Sequence, residues 1–86
     1  MKLRMEPVTV VKDEQGVPQR FYWRGRPYRV TAIEDRWHYA GKWWLDGKGW
    51  HRAYFRVTAR GPNGGQVTFE LFKQHGGTWV LSRECD

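Results

Sequence analysis

Two runs in the C-terminal half alternate apolar and polar residues around a glycine-rich loop, and that pattern leaves few folds open. Residues 54–60 (Tyr-Phe-Arg-Val-Thr-Ala-Arg) and 66–73 (Gln-Val-Thr-Phe-Glu-Leu-Phe-Lys) flank Gly61-Pro62-Asn63-Gly64-Gly65. A period of two marks a strand with one buried face. Closing the loop sets Ala59 opposite Val67, Val57 opposite Phe69 and Phe55 opposite Leu71, so these six share an apolar face. Tyr54, Arg56, Thr58, Thr68, Glu70 and Phe72 fall on the other face, with Arg56 directly across from Glu70. Opposite charges in such a pair attract.

The same grammar extends in both directions. Residues 8–11 are β-branched and end at the turn cluster Asp13-Glu14-Gln15-Gly16. Pro18 opens a strand that runs to Arg24, and residues 28–33 form its partner. A two-residue turn at Gly25-Arg26, glycine first, suits type II′ geometry. It sets Arg24 opposite Pro27, Trp23 opposite Tyr28, Tyr22 opposite Arg29 and Phe21 opposite Val30. Phe21, Trp23, Tyr28 and Val30 then face inward; Arg20, Tyr22, Arg24 and Arg29 face outward. At the last hairpin, a five-residue loop over residues 74–78 puts Leu81 opposite Leu71 and keeps Trp79 inward. A tight Gly76-Gly77 turn would send Leu81 to solvent, so the longer loop is expected.

The middle of the chain holds Trp37, Tyr39, Trp43, Trp44 and Trp50 among Gly41, Gly47 and Gly49. Glycines at that density oppose a helix. An irregular strand around residues 42–45 and a turn at 46–49 are expected, with one short helix over 35–42 as the alternative. Residues 1–6 read as a flexible leader, and residues 7–86 as one domain. The fold class is therefore all-β: an antiparallel meander of about six or seven strands closed into a small barrel, SH3-like or OB-like.

Composition narrows the function. Within 86 residues, 15 Lys and Arg outnumber 9 Asp and Glu, for a formal charge of +6. That balance favours a polyanionic partner, nucleic acid above all. Six Trp, four Tyr and four Phe give a small core the bulk it needs. A lone cysteine, Cys85, excludes an intramolecular disulfide and a cysteine zinc cage, and fits a cytoplasmic setting. No apolar run resembles a signal peptide or a membrane span, so no membrane role is expected. His38, His51 and His75 lack ligand spacing, and Glu34-Asp35 and Glu84-Asp86 flank turns or the terminus. No glycine loop precedes a helix to cradle phosphates. The expectation is a protein without catalysis, cofactor or metal.

Arg20-Phe21-Tyr22-Trp23-Arg24 is echoed by Arg52-Ala53-Tyr54-Phe55-Arg56. Each strand thus presents an outward Arg–Tyr–Arg ladder. Arginines on phosphates with tyrosines stacked on bases suit sequence-tolerant binding of single strands, single-stranded DNA included. The candidate nucleic-acid-binding residues are Arg20, Tyr22, Arg24, Arg26, Arg29, Arg52, Tyr54 and Arg56, the two ladders making one platform. The bland alternative is a solvated face on which arginine stems cover tyrosine rings. A second functional reading is a module that docks on a polymerase or repair protein through Trp43 and Trp50. Short exposed edge strands would also allow a dimer.

One longer pattern carries a resemblance. It comprises Arg20-Phe21-x-Trp23-Arg24-Gly25-Arg26-x-Tyr28-x-Val30, Trp37, Trp43-Trp44, Arg52-x-Tyr54-Phe55-Arg56-Val57, Glu70-Leu71-Phe72, Trp79-x-Leu81-x-Arg83 and Asp86. Over about residues 18–86 the chain resembles an uncharacterised family of small bacterial domains. That family is also similar to the C-terminal region of ImuB, the Y-family-polymerase-like subunit of a translesion mutasome. The resemblance implies an accessory role in DNA repair or damage-tolerant replication, and it brings no catalytic residues. The chain departs from the pattern in the Gly47-Lys48-Gly49 turn and at Cys85, where a large apolar residue is expected at the end of the last strand.

Overall fold

Alternation over residues 54–73 does produce a hairpin, and four more strands complete the sheet it belongs to. The computed structural model describes residues 2–40, 51–74 and 76–85. The strands are β1 (Lys2–Lys12), β2 (Pro18–Trp23), β3 (Arg26–Ala40), β4 (His51–Arg60), β5 (Gln66–Gln74) and β6 (Trp79–Cys85). Each pairs antiparallel with its neighbours in chain order, and β1 pairs with β6 to close a barrel. Among the described residues there is no helix, hence none long and apolar enough to cross a membrane. The expected strand at 42–45, the turn at 46–49, and Trp43, Trp44 and Trp50 lie outside the described residues.

Register between β4, β5 and β6 follows the apolar pattern. Ala59 faces Val67, Val57 faces Phe69 and Phe55 faces Leu71, while Leu71 also faces Leu81. Those inward positions, with Phe21 and Trp23 of β2, form the core. Phe21 stacks on Tyr28 at 5.1 Å, and Phe69 meets both rings edge-on at 5.3 and 5.4 Å. Each such buried side chain contributes about 1.5–3 kcal/mol through apolar burial.

The β2–β3 turn lies one residue earlier than expected. Its loop is Arg24-Gly25, both at positive φ (54° and 73°), and Trp23 pairs with Arg26. The cause is Pro27. The residue closing a two-residue turn must donate its N–H across the hairpin, and proline has none. Arg26 closes the turn instead, leaving Pro27 opposite Tyr22. A one-residue move of the loop shifts each pair by two positions, so every side chain keeps its face. Phe21, Trp23, Tyr28 and Val30 accordingly still pack together.

Two further corrections concern β1 and β3. The leader expected over residues 1–6 is, from Lys2 onward, part of β1: Lys2 pairs with Glu84 and Leu3 with Arg83, and this pairing is what closes the barrel. The helix considered over 35–42 does not form over 35–40, where β3 continues opposite β4. Bulges between Val30 and Ala32 and between Ile33 and Asp35 interrupt the alternation, and each inserted residue flips the phase of the strand. In sequence, such a flip looks like the end of a strand. After the second bulge Trp37 lies outward opposite Tyr54, while Arg36 and His38 take inward positions opposite Phe55 and Ala53.

One end of the barrel is shut by a charged clasp around Trp23. A bulge at Met5 (φ 49°) brings Glu6 opposite the buried Leu81, on the inward phase. Trp23 Nε1 donates to Glu6 Oε1 at 2.9 Å, and Arg24 Nε and Nη2 donate to the two carboxylate oxygens at 3.0 and 2.7 Å. Arg4 pairs with Glu84 at 2.9 Å, and the Arg4 and Arg24 guanidiniums lie 5.4 and 4.8 Å from the Trp23 ring centre. The Arg24 and Trp23 hydrogen bonds, helped by the charges of Arg24 and Arg4, lower the Glu6 pKa from 4.5 to about 2. These contacts also hold Arg24 in a left-handed conformation that a non-glycine residue ordinarily avoids.

A carboxylate with a depressed native pKa stabilises the fold above its unfolded pKa, and the effect fades as pH falls toward the native value. Thermal unfolding of Glu6→Gln and the parent chain should therefore differ most above about pH 5. The gap should close as pH approaches the native value near 2. A gap of constant size across that range would contradict the clasp.

Candidate nucleic-acid interface

The two Arg–Tyr–Arg ladders are not one platform. Tyr22 lies across β3 from Pro27, whereas Tyr54 lies across from Trp37. The separation along β3 is roughly 30 Å at ~3.3 Å per residue. Their surroundings differ as much as their positions.

On β4 the ladder is already engaged. The Tyr54 ring stacks on Trp37 at 5.2 Å with the planes 6° apart, and meets Phe72 at 5.1 Å on the other neighbouring strand. Arg52 Nη1 donates to the Tyr54 hydroxyl at 3.2 Å, and its guanidinium lies 4.5 Å from the centre of the Phe72 ring. Arg56 Nη2 pairs with Glu70 at 3.2 Å and the guanidinium lies 5.5 Å from the Trp37 ring centre. Glu70 also forms an ion pair with Arg83, whose Nε lies 3.4 Å from Oε1, so a carboxylate only 8% exposed has an arginine on each neighbouring strand. Phe72, though on the outward phase, is fully buried. This half of the candidate set is a structural cluster on the outside of the barrel.

The β2–β3 ladder divides differently. Arg24 belongs to the clasp at Glu6. Arg26, exposed, stands opposite Trp23 beside the turn. Arg20 and Arg29 are exposed, outward and directly opposite each other, and Arg29 is in turn opposite Arg60 on β4. Arg20, Arg29 and Arg60 thus form a transverse row over three adjacent strands, at ~4.8 Å per strand. Like charges facing each other across a sheet repel. None of the three joins an ion pair or a side-chain hydrogen bond among the described residues. Tyr22, 40% exposed, sits next to the row, and Val11, 49% exposed, continues it opposite Arg20 on β1. The surface offers cations at strand spacing with an accessible ring beside them.

Arg60 is the residue that sequence reasoning passed over. The β4–β5 register marks it as outward, but its place beside Arg29 depends on how β3 meets β4, and the β3 bulges hide that. Of the other candidates for chemistry, Cys85 is half-buried opposite Thr68, where burial and then the Glu70 charge push its thiol pKa up. No group of three His, Cys, Asp or Glu side chains among the described residues could hold a metal.

No curated protein and no solved structure matches this chain. A family model does match, along residues 1–86, and the chain therefore belongs to the DUF6504 family, a domain of unknown function.

Proposed function

We propose that this barrel is a non-catalytic accessory module that binds nucleic acid on its β2–β3–β4 outer face. Arg20, Arg29 and Arg60 contact successive phosphates, and Tyr22 stacks on a base. The observation that carries this reading is the uncompensated arginine row. A sheet gains nothing by setting three guanidiniums side by side without a carboxylate, and a polyanion relieves the repulsion. Contacts of this kind read phosphate and ring faces rather than base edges, so binding is tolerant of sequence and suits single strands. We further propose a place in DNA repair or translesion synthesis, from the sequence pattern that resembles the C-terminal region of ImuB, and a cytoplasmic setting, which the lone Cys85 fits.

Binding of an unlabelled-end oligo-dT, followed across a salt series, tests the assignment. Each phosphate neutralised on a single strand adds about 0.7 to the slope of log affinity against log salt. Arg29→Ala should weaken binding several-fold and flatten that slope by about 0.7. An unchanged slope, or no binding by the parent chain at low salt, would exclude the row as a phosphate site.

Tyr54→Ala serves as the opposite case. It removes a ring packed between Trp37 and Phe72. Denaturant unfolding should register a loss of about 1–3 kcal/mol, with affinity for oligo-dT bearing a 5′-hydroxyl unaltered where the variant is folded. Loss of affinity without loss of stability would return Tyr54 to the binding surface.

A further inference from the structure

The end of the barrel opposite the Trp23 clasp is built in a different way. A cavity of about 340 Å³ opens there, with Arg36, His38 and Lys73 around Ala53, Tyr54, Phe55 and Trp79 and with Gln15 and Gly16 of the β1–β2 turn as one wall. Register places these three basic side chains on the lumen side: Arg36 faces Phe55, while His38 faces Ala53, which faces Lys73, which faces Trp79. Lumen positions of a small barrel are ordinarily filled by apolar side chains. Among the described residues the apolar packing stops at Phe55 and Trp79, whose rings lie 5.7 Å apart, and Arg36 and Lys73 stand beside them.

Among the described residues, carboxylates do not balance this charge. Asp13 accepts hydrogen bonds from the Gln15 and Val17 amides, both at 2.9 Å, and from Gln19 Nε2 at 3.3 Å, which commits it to its own turn. Asp35 accepts from the Arg36 amide at 2.8 Å and lies on the outward phase opposite Arg56. Glu14 is exposed on the turn. None of Arg36, His38, Lys73 and Lys12 takes part in an ion pair among the described residues. Lys12 crowds Lys73, and its hydrogen bonding and like charge lower the Lys73 pKa. At the clasped end, by contrast, Arg4 and Arg24 have Glu84 and Glu6.

We infer that this lumen end is a second binding site and that its ligand is a phosphomonoester: the terminal phosphate of a nucleic-acid strand, or the phosphate of a free nucleotide. A phosphomonoester carries about −1.5 to −2 charges and three strong acceptor oxygens. A phosphodiester within a strand carries a single charge, so a convergent set of cations favours the monoester. The volume falls at the lower end of small-molecule sites. An apolar floor strengthens each ionic hydrogen bond formed above it.

The test uses the full chain and four probes: AMP, inorganic phosphate, and oligo-dT with either a 5′-phosphate or a 5′-hydroxyl, each titrated by calorimetry. A site for strand ends predicts about tenfold tighter binding of the 5′-phosphorylated strand than of the hydroxyl strand. A site for free nucleotides predicts saturable AMP binding, competed by inorganic phosphate, with no preference between the strands. In either case Lys73→Gln should abolish the phosphate-dependent part and spare the hydroxyl strand, which the Arg20–Arg29–Arg60 row holds. Arg36→Gln, at an exposed position, gives the same readout should the Lys73 variant misfold. Absence of both the preference and AMP binding overturns the inference, as does a preference that survives in both variants. AMP binding by a chain that ignores the hydroxyl strand would uphold the lumen site and sink the row instead.

Discussion

A closed six-stranded sheet offers each side chain the lumen or the outside, and the inward pairs Phe21–Tyr28, Val30–Ala59, Val57–Phe69 and Leu71–Leu81 settle that choice around the barrel. Moving any one strand by a single position would turn its apolar residues out and its charges in. The pairing of β1 with β6 completes the circle and leaves no free edge in the sheet. Every electrostatic feature of the molecule follows from this phase. It presents Arg20, Arg29 and Arg60 on one outer row and buries Glu70 between Arg56 and Arg83.

The bulges are where the phase is used rather than merely kept. Two insertions in β3 allow Val30 to pair with Ala59 and Ile33 with Val57, then deliver Trp37 outward and put Arg36 and His38 opposite Phe55 and Ala53. A third, at Met5, turns Glu6 toward Trp23. The barrel consequently has two unlike ends. At one, arginines and carboxylates neutralise one another over an indole ring; at the other, cations gather around Phe55 and Trp79 without a counter-charge among the described residues.

Legibility in the sequence tracked the regularity of the strands. Residues 54–73 alternate without a break, and their pairing was readable residue by residue, including Arg56 against Glu70. The Leu71–Leu81 pair followed because only one loop length kept both leucines inside. The β2–β3 faces were readable though the turn was not, since the donor missing at Pro27 moves the loop by one residue without reversing a face. β3 defeated pattern reading because a bulge imitates a strand end. For the candidate site the limitation was different. Alternation separates inside from outside, but outside is not the same as exposed. Tyr54 and Phe72 are outward and packed, whereas Tyr22 is outward and accessible. Arg60 could be recognised only after β4 had been aligned against β3.

The most direct test of this account is a residue-resolved map of where a single strand touches the barrel, read from the arginine Nε–H and tyrosine ring NMR signals during titration with oligo-dT. The account predicts that Arg20, Arg29, Arg60 and Tyr22 shift together, while Arg52, Arg56 and Tyr54, held by Phe72, Glu70 and Trp37, stay in place. Shifts centred on Arg52, Tyr54 and Arg56 with the transverse row unmoved would contradict it.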